Sequence, residues 1–504
     1  MNPDAIKRIV IVGGGTAGWM TAAACAKKFG QAMEVVLVES ESIGTVGVGE
    51  STIPSIRDFN RFLGIDENVF VAETKATFKL GIAFKNWGYL GSDYIHPFGP
   101  LGHDINGTEF HHFWLRMQQE GVQVPLDEYS VAATAARAGK FQHPSSDSEN
   151  LLSNYSYAFH FDAALYAKYL RQYSEARGVL RYEGILVETN QDPTTGFINS
   201  ICMDSGLVIE GDVFIDCMGF KGLLIDKVLG AEFEDWSHWL ACDRAVAVPC
   251  ASGGEALTPY TISTAHSAGW QWRIPLQHRT GNGHVYASEY MSDDEAIAIL
   301  LGNLDGEPLA DPKPFRFKAG KRKQNWRKNC VAIGLASGFL EPLESTSIYL
   351  IQVGIQKFLE LFPDKNFCEA NTREFNRQLD AEYVRIRDFI IMHYKETQRE
   401  DSPFWRRCKN MTVPTELEHR QKLFGSSGHV DREQYGVYES VCIGQGLIPT
   451  NYDFRIARFS SQDIEKYLQK IRTDIRAVVS TMPSARQTID AMIAAGLNPA
   501  QKGQ

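Results

Sequence analysis

The feature that most constrains the fold is an apolar run that passes directly into a glycine cluster near the start of the chain. Ile9–Val12 is entirely β-branched, Gly13, Gly15 and Gly18 follow with the spacing Gly-x-Gly-x-x-Gly, and the residues up to Phe29 are rich in alanine. This order predicts a strand, a tight turn and a helix whose first N–H groups bind a pyrophosphate. The residues expected to contact a dinucleotide are Gly13, Gly15, Thr16, Ala17 and Gly18.

Glu39 ends a second predicted strand that begins at Glu34, and it lies 21 residues after Gly18. A carboxylate at this point accepts hydrogen bonds from a ribose hydroxyl and repels a 2′-phosphate. The sequence therefore favours FAD or NAD over NADP. Two further glycine-containing segments are predicted to contact the same cofactor. They are the loop residues Gly47, Val48, Gly49 and Glu50, and the turn residues Gly334 and Leu335.

Hydrophobic periodicity divides the rest of the chain into predicted strands and helices. Apolar residues alternate from Phe78 to Phe84, which predicts one strand with Lys79 on the face opposite its apolar side. The amphipathic segment Ser347–Leu361 predicts a long helix, and the chain beyond it is mostly helical. The other predicted elements are a helix over 162–177 and strands over 180–188, 198–203 and 213–217.

Composition indicates a water-soluble enzyme without a polyanionic partner. The chain has 504 residues and a net charge of -10, which argues against nucleic-acid binding. The basic stretch Lys318–Lys328 is interpreted as a solvated turn. We expect no signal peptide, no membrane span and a cytoplasmic location. Nine scattered cysteines without a C-x-x-C pair predict reduced, packed thiols and no metal site.

Four segments taken together resemble flavin-dependent halogenases of the tryptophan-halogenase type. They occur in the order of that family, and a segment of the C-terminal region, Cys442–Pro449, also looks related. The four segments are Gly13–Gly18, Phe78-Lys79-Leu80-Gly81-Ile82, Gly269-Trp270-Gln271-Trp272-Arg273-Ile274-Pro275 and Leu340-Glu341-Pro342-Leu343-Glu344-Ser345-Thr346.

The resemblance implies a two-stage reaction. FADH2, delivered by a separate NAD(P)H-dependent flavin reductase, reacts with O2 to give a flavin hydroperoxide, and chloride or bromide attacks it to form hypohalous acid. An electron-rich aromatic ring, of indole type, is then halogenated by electrophilic substitution. The sequence leaves open the halide, the regiochemistry, the identity of the reductase and the oligomeric state. A homodimer is compatible with the sequence.

The same resemblance assigns the catalytic residues. Lys79 is the expected catalytic lysine, which polarises hypohalous acid through a hydrogen bond or reacts with it to give a haloamine. Glu344 is the expected pocket carboxylate beside Lys79. Without the resemblance, Lys79 would be assigned to a solvated strand face and Glu344 to the start of a helix.

Halide and substrate sites follow from the same comparison. Thr346 and Ser347 open the long predicted helix, so their N–H groups suit an anion. The family usually has glycine where Ser347 stands. His96 and Phe98 match a His-x-Phe pair that sandwiches an indole ring. Trp270 and Trp272 are diagnostic of the family, although paired core aromatics would explain them equally well.

One departure concerns the substrate. Tryptophan-specific members carry a Tyr-Tyr, Glu, Phe-Trp cluster before the segment that corresponds to Cys442–Gly446, and this cluster clamps the amino-acid backbone. The present chain has Gly428-His429-Val430-Asp431-Arg432-Glu433-Gln434-Tyr435 instead. Indole, a simple indole derivative or a bulkier aromatic compound is therefore at least as good a candidate as free tryptophan.

Three other functions stay open on the residues alone. An aromatic monooxygenase would use the same cofactor without needing the Lys79 and Glu344 pair. In a nicotinamide-dependent dehydrogenase, Glu39 would suit the ribose of NAD. A flavoprotein that only binds its cofactor would have no use for Lys79, Glu344 and Thr346.

The expected fold class is α/β. It comprises a Rossmann-like FAD-binding module of the glutathione-reductase type, an inserted β-rich substrate region and a helical C-terminal region. The FAD-binding module is predicted over 1–85, 155–225 and 325–361, a pocket-shaping insertion over 86–154, the β-rich region over 226–324 and the helical region over 362–504.

Overall fold

The computed structural model describes residues 3–42, 49–254, 256–430 and 437–496. The chain divides into two compact units, and each unit gathers three stretches of sequence. The first comprises Met1–Thr74, Phe161–His238 and Phe317–Val384, and the second comprises Lys75–His160, Trp239–Arg316 and Arg385–Gln504. The six predicted domain boundaries stay a prediction.

The first unit is built on a mainly parallel sheet. Its central strand, Arg8–Val12, pairs in parallel with Val213–Asp216 on one side and Glu34–Glu39 on the other. Four of its five residues are buried, as expected of a parallel strand covered on both faces. In spatial order the strands are Trp326–Arg327, Cys330–Ala332, Val213–Asp216, Arg8–Val12, Glu34–Glu39 and Leu180–Glu183.

Helices of this unit pack beside the sheet. The helix Thr16–Phe29 contacts the helices Ala163–Glu175 and Ser347–Glu360. Ala22, Ala23 and Ala24 are fully buried, and their small side chains allow this close packing. Ser55–Leu63 and Glu67–Thr74 are further helices, and Glu369–Lys395 begins in this unit.

Two small antiparallel sheets complete the first unit. One has the order Val208–Glu210, Ile198–Met203 and Leu186–Gln191, and the other has the order Phe233–Asp235, Gly320–Arg322 and Gly338–Phe339.

The second unit contains a larger, mixed sheet. All of its strand pairs are antiparallel except that between Thr261–His266 and Gly81–Lys85. In spatial order the strands are Lys313–Arg316, Arg244–Cys250, Thr280–Tyr286, Gly269–Pro275, Thr261–His266, Gly81–Lys85 and Asp93–Pro97. A separate short strand, Thr77–Lys79, pairs with Ala158–Asp162.

Helices form much of the remainder of the second unit, as predicted for the C-terminal region. They are Phe110–Gln119, Val131–Arg137, Asp293–Gly302, Pro403–Asn410, Thr415–Ser427, Tyr438–Gln445, Ser461–Thr481 and Ala485–Gly496. Among the described residues, none of the helices combines the length and apolar character needed to cross a membrane.

Three local predictions are wrong. The segment predicted as a strand over 180–188 forms two strands, Leu180–Glu183 and Leu186–Gln191, which lie in different sheets. The alternating segment from Phe78 to Phe84 forms two strands rather than one, Thr77–Lys79 and Gly81–Lys85. The break falls at Leu80, because its N–H group donates to Pro259 O and not to the strand that pairs with Thr77–Lys79. The basic stretch is not a solvated turn, since Lys321 is 3% exposed and its Nζ lies 2.5 Å from an oxygen of Asp380. Seven of the nine cysteines are buried and Cys368 is exposed, which agrees with the prediction that these thiols are packed.

Candidate active site

The glycine fingerprint forms a turn that no larger residue could form without displacing its neighbours. Gly13 has a φ of +114°, and a Cβ there would lie 2.4 Å from the carbonyl oxygen of Cys217. A Cβ on Gly18 would lie 1.8 Å from the carbonyl oxygen of Gly13. The strand, the turn and the helix are therefore held in backbone contact, as the fingerprint predicts.

The helix that follows begins with N–H groups suited to an anion. Gly15 precedes the helix Thr16–Phe29 in an extended conformation, and its N-terminus has no side-chain cap among the described residues. No acidic side chain lies in the first turn. This end of the helix thus combines N–H donors with a positive dipole and fits a pyrophosphate group.

Glu39 lies against this turn. Its Oε2 would be 1.5 Å from a Cβ at Gly14, and the indole Nε1 of Trp19 donates to it at 3.3 Å. Arg181 Nε donates to the other oxygen at 2.6 Å. A carboxylate has about four acceptor positions, so these two bonds leave capacity for a ribose hydroxyl. Arg181 was not found by sequence analysis, because only the parallel pairing of its strand brings it to Glu39.

The later cofactor turn meets the same helix. Gly334 opens a short 3-10 helix, Gly334–Ala336, with a φ of +73°. A Cβ on Gly334 would lie 2.8 Å from the Cβ of Ala17, so the structure brings these two predicted cofactor residues together. Leu335 lies within the same short helix.

The predicted glycine loop is described only in part. Gly47 and Val48 lie outside the described residues. Gly49 and Glu50 lie in the short strand Gly49–Ser51, and burial raises the pKa of Glu50 to about 7. The last residue of this strand, Ser51, accepts a hydrogen bond of 3.0 Å from Ser345, which connects the loop to the predicted catalytic turn.

The predicted catalytic turn is buried at Glu344, Ser345 and Thr346. Glu344 ends the 3-10 helix Pro342–Glu344 and is 1% exposed. Ser345 follows with a φ of +60°, a left-handed conformation that is uncommon outside glycine. The reversal ends at Thr346, directly before the helix Ser347–Glu360. Glu341, three residues earlier, is equally buried.

Thr346 carries an orphaned hydroxyl. Its Oγ1 is buried, and no hydrogen-bond partner for this atom occurs among the described residues. The helix N-terminus at Ser347 has neither a side-chain cap nor an acidic residue in its first turn within the described chain. A donor hydroxyl beside helix N–H groups that no described side chain caps has the chemistry of a halide site.

Lys79 lies in the second unit and is fully buried. Its Nζ is 5.0 Å from the centroid of the Phe98 ring, within the range of a cation–π contact. The backbone fixes this proximity, since Phe98 N donates to Leu80 O at 2.8 Å. Strand pairing also places His96 opposite Ile82, and a Cβ on Gly81 would lie 2.4 Å from His96 O. The structure therefore brings Lys79, His96 and Phe98 to one place.

The imidazole of His96 has a defined orientation. Val437 N donates to His96 Nε2 at 3.1 Å, so this nitrogen is an acceptor and the other carries the proton of the neutral ring. Phe389 packs edge-on against the same ring, with centroids 5.7 Å apart. Val437 begins the described segment 437–496, so the part of the sequence departure from Asp431 to Tyr435 lies outside the described residues.

A buried hydrogen-bond chain holds the strand that carries Lys79. Thr77 donates its single hydroxyl hydrogen to Pro275 O at 2.6 Å, so its oxygen accepts from His160 Nδ1 at 3.1 Å. His160 Nε2 then accepts from the Thr261 hydroxyl at 2.9 Å. Burial, with a smaller contribution from the charge of Lys79, holds the pKa of His160 well below its usual value. The ring is therefore neutral, and its tautomer is set by its partners.

Trp270 and Trp272 lie on one face of the strand Gly269–Pro275. They are 1% and 6% exposed, and their ring centroids are 6.1 Å apart. These contacts are those of core packing.

The predicted site residues occur in both units. The first unit contains the glycine fingerprint, Glu39, Gly334 and the turn from Glu344 to Ser347. The second unit contains Lys79, His96 and Phe98. The proximity of Lys79 and Glu344 stays a prediction.

The sequence matches the family described as "Tryptophan halogenase" over residues 8–461. Tryptophan 6-halogenase SttH of Streptomyces toxytricini is 35% identical over 527 residues, covering 97% of this chain and 98% of the relative. BrvH, a flavin-dependent halogenase from Brevundimonas sp. BAL3, is 44% identical with a TM-score of 0.93, covering 97% and 99%. Xcc4156, a flavin-dependent halogenase from Xanthomonas campestris, is also 44% identical with a TM-score of 0.93, covering 97% and 98%.

The chain therefore belongs to the tryptophan halogenase family. It is a flavin-dependent halogenase, and this class implies FAD and a halide. The predicted α/β fold class with an FAD-binding fold is confirmed, and the halogenase reading is confirmed over the hydroxylase alternative.

Proposed function

We propose that this protein halogenates an electron-rich aromatic ring of indole type in the cytoplasm. It would use FADH2 from a separate NAD(P)H-dependent reductase, O2, and chloride or bromide. The observation that carries the proposal is a fully buried lysine, Lys79, beside an aromatic side chain in a chain of this family.

The first unit supplies the cofactor contacts. The turn around Gly13 and Gly18 and the helix N-terminus at Thr16 would hold the pyrophosphate, and Glu39 would accept from the adenosine ribose. Ala17 and Gly334, which lie side by side, would line the same cofactor. When bound, the reduced flavin would supply the chemistry that oxidises halide to hypohalous acid with O2.

Lys79 would direct that oxidant toward the substrate. An ammonium group in a dry environment donates a stronger hydrogen bond than it does in water, because little solvent screens it. Donation to the oxygen of hypohalous acid makes the halogen more electrophilic. Lys79 is 0% exposed, so this donor would act without competing bulk water.

The turn from Glu344 to Ser347 would contact two charged species, the cationic ring intermediate and the halide. Glu344 would stabilise the cationic ring intermediate and take up its proton. The Thr346 hydroxyl and the N–H groups at the start of the helix Ser347–Glu360 would bind the halide. Ser347 can still offer its N–H group in place of the glycine usual in the family.

His96 and Phe98 would bind the aromatic ring by stacking. The neutral tautomer of His96 supports this role, because a neutral imidazole does not repel an electron-poor ring cation. We propose indole or a simple indole derivative rather than free tryptophan, because the chain lacks the residues that clamp the amino-acid backbone in tryptophan-specific members.

The test compares Lys79→Ala with Lys85→Ala, a lysine of the neighbouring strand Gly81–Lys85 that is only half-buried. Each variant is incubated with FAD, a flavin reductase, NADH, bromide and either indole or tryptophan, and products are identified by mass spectrometry. We expect Lys79→Ala to lose halogenated product by about 10²-fold or more while FAD binding and hypohalous acid release persist. Lys85→Ala should behave as wild type.

Normal product formation by Lys79→Ala would refute the role of this lysine. Oxygenated product formed equally with and without bromide would instead favour the monooxygenase. Stronger activity on tryptophan than on indole would contradict the proposed substrate.

A further inference from the structure

Outside the residues assigned to halogenation, two buried histidines and a carboxylate meet at the start of the helix Phe110–Gln119. Glu109 precedes this helix, and His111 and His112 lie in its first turn, 2% and 4% exposed. Each of the three offers one ligand atom, and these atoms all lie within 4.8 Å of one another. Their rings are adjacent, with centroids 4.2 Å apart.

His111 presents a lone pair because its other nitrogen is already used. His111 Nε2 lies 2.6 Å from Gly428 O, and a carbonyl oxygen can only accept, so Nε2 carries the proton. The neutral ring then has an unprotonated Nδ1. A backbone carbonyl that fixes the tautomer of a ligating histidine in this way is a common outer contact of metal sites.

The spacing of the other two ligands matches a metal site better than a hydrogen bond. His112 Nε2 and Glu109 Oε2 are 3.5 Å apart, longer than the roughly 2.7–2.9 Å of a charge-assisted hydrogen bond. Bonds of about 2.0–2.1 Å to a tetrahedral zinc ion separate neighbouring ligand atoms by roughly 3.3–3.5 Å. The observed distance is therefore close to one edge of a zinc tetrahedron.

His112 has one backbone contact at its other ring nitrogen and a negatively charged neighbour. Asp453 N donates to His112 Nδ1 at a long 3.4 Å, and the Asp453 carboxylate is the leading negative charge acting on this imidazole. Binding of the ion through His112 Nε2 requires the proton of the neutral ring to lie on Nδ1, so the long contact from Asp453 N would be broken.

We propose that Glu109, His111 and His112 bind one divalent transition-metal ion of the zinc type. Two imidazoles and one carboxylate are a donor set that zinc accepts, with water or the neighbouring exposed His429 as the fourth ligand. The cysteine-based expectation of no metal site did not consider this set. It escapes a search for spaced motifs because its ligands are nearly consecutive in sequence.

The ion would stabilise contacts between this helix and the C-terminal part of the second unit. The carbonyl of Gly428 and the backbone of Asp453 contact the two histidines, and Arg116 of the same helix donates to Ile456 O and Phe459 O. The proposed role is structural, and it is independent of the proposed catalytic residues.

The test measures zinc binding to the untagged, chelator-treated full chain by isothermal titration calorimetry. We compare wild type with Glu109→Gln and His112→Ala, and use His419→Ala, an exposed histidine on another helix, as the matched control. Circular dichroism checks that each variant is folded. The expected result is one zinc ion per wild-type chain, at least about ten-fold weaker binding in Glu109→Gln, and no change in His419→Ala.

Thermal unfolding gives a second measurement. Zinc should raise the unfolding midpoint of wild type and of His419→Ala by several degrees, but raise that of Glu109→Gln much less. Absence of zinc binding by wild type would overturn the proposal. Unchanged zinc affinity in Glu109→Gln would also overturn it, even if His112→Ala failed to fold.

Discussion

Thr77→Val is expected to destabilise the second unit by breaking the hydrogen-bond chain beneath Lys79. Valine has nearly the shape of threonine, so the change removes one hydroxyl without opening a large cavity. That hydroxyl accepts from His160 Nδ1 at 3.1 Å and donates to Pro275 O at 2.6 Å. His160 is fully buried, so its N–H group would be left without a partner or water.

The magnitude follows from the two groups affected. A buried donor left unsatisfied costs about 1–3 kcal/mol, and loss of the half-buried bond to Pro275 adds about 0.5–1.5 kcal/mol. Thr77→Val should therefore lower the free energy of unfolding by about 1.5–4.5 kcal/mol. Thr261→Val removes a donor to His160 Nε2 and should cost about 1–3 kcal/mol.

Guanidinium unfolding followed by tryptophan fluorescence measures both effects. The matched control is Thr264→Val, a half-buried threonine three residues along the same strand as Thr261. It should change stability by less than about 0.5 kcal/mol. A similarly small change in Thr77→Val would refute the assigned direction of these hydrogen bonds and the neutral tautomer of His160.

Two further predictions concern the cofactor turn and acid stability. Gly18→Ala should abolish FAD binding in a flavin fluorescence titration, because the added Cβ would lie 1.8 Å from Gly13 O. The control Gly302→Ala should bind FAD normally, because a Cβ there would meet no atom outside its own helix within 4 Å. Normal FAD binding by Gly18→Ala would contradict the backbone contact at Gly18. His284 is fully buried, and burial lowers its pKa to about 4. Below about pH 6.5 the imidazole of His284 is protonated in the unfolded chain but stays neutral in the folded protein down to about pH 4. The free energy of unfolding should therefore not depend on this group above about pH 6.5, and should fall by about 1.4 kcal/mol per pH unit between pH 6.5 and pH 4. Urea unfolding between pH 7 and 5 should therefore show a weaker pH dependence in His284→Gln than in wild type, and equal slopes would contradict the lowered pKa.

The sequence by itself determined the features that depend on residues close together along the chain. The strand, turn and helix around Gly13–Gly18 could be predicted because only glycine permits the φ of Gly13 and the approach of Gly18. The helix that begins at Ser347 followed from its apolar periodicity. Four ordered motifs sufficed to identify the family, while the roles of individual site residues stay predictions.

Only the tertiary structure decided which distant groups meet. Lys79 is buried beside Phe98 because the N–H group of Phe98 donates to Leu80 O, next to Lys79 in the chain. The alternation of apolar residues in the sequence could not reveal this contact. Arg181 reaches Glu39 through a parallel strand pairing, and His111 meets Gly428 through the packing of the C-terminal segment. The physical reason is that local steric rules act within a few residues, whereas burial and hydrogen-bond partners depend on which segments pack together.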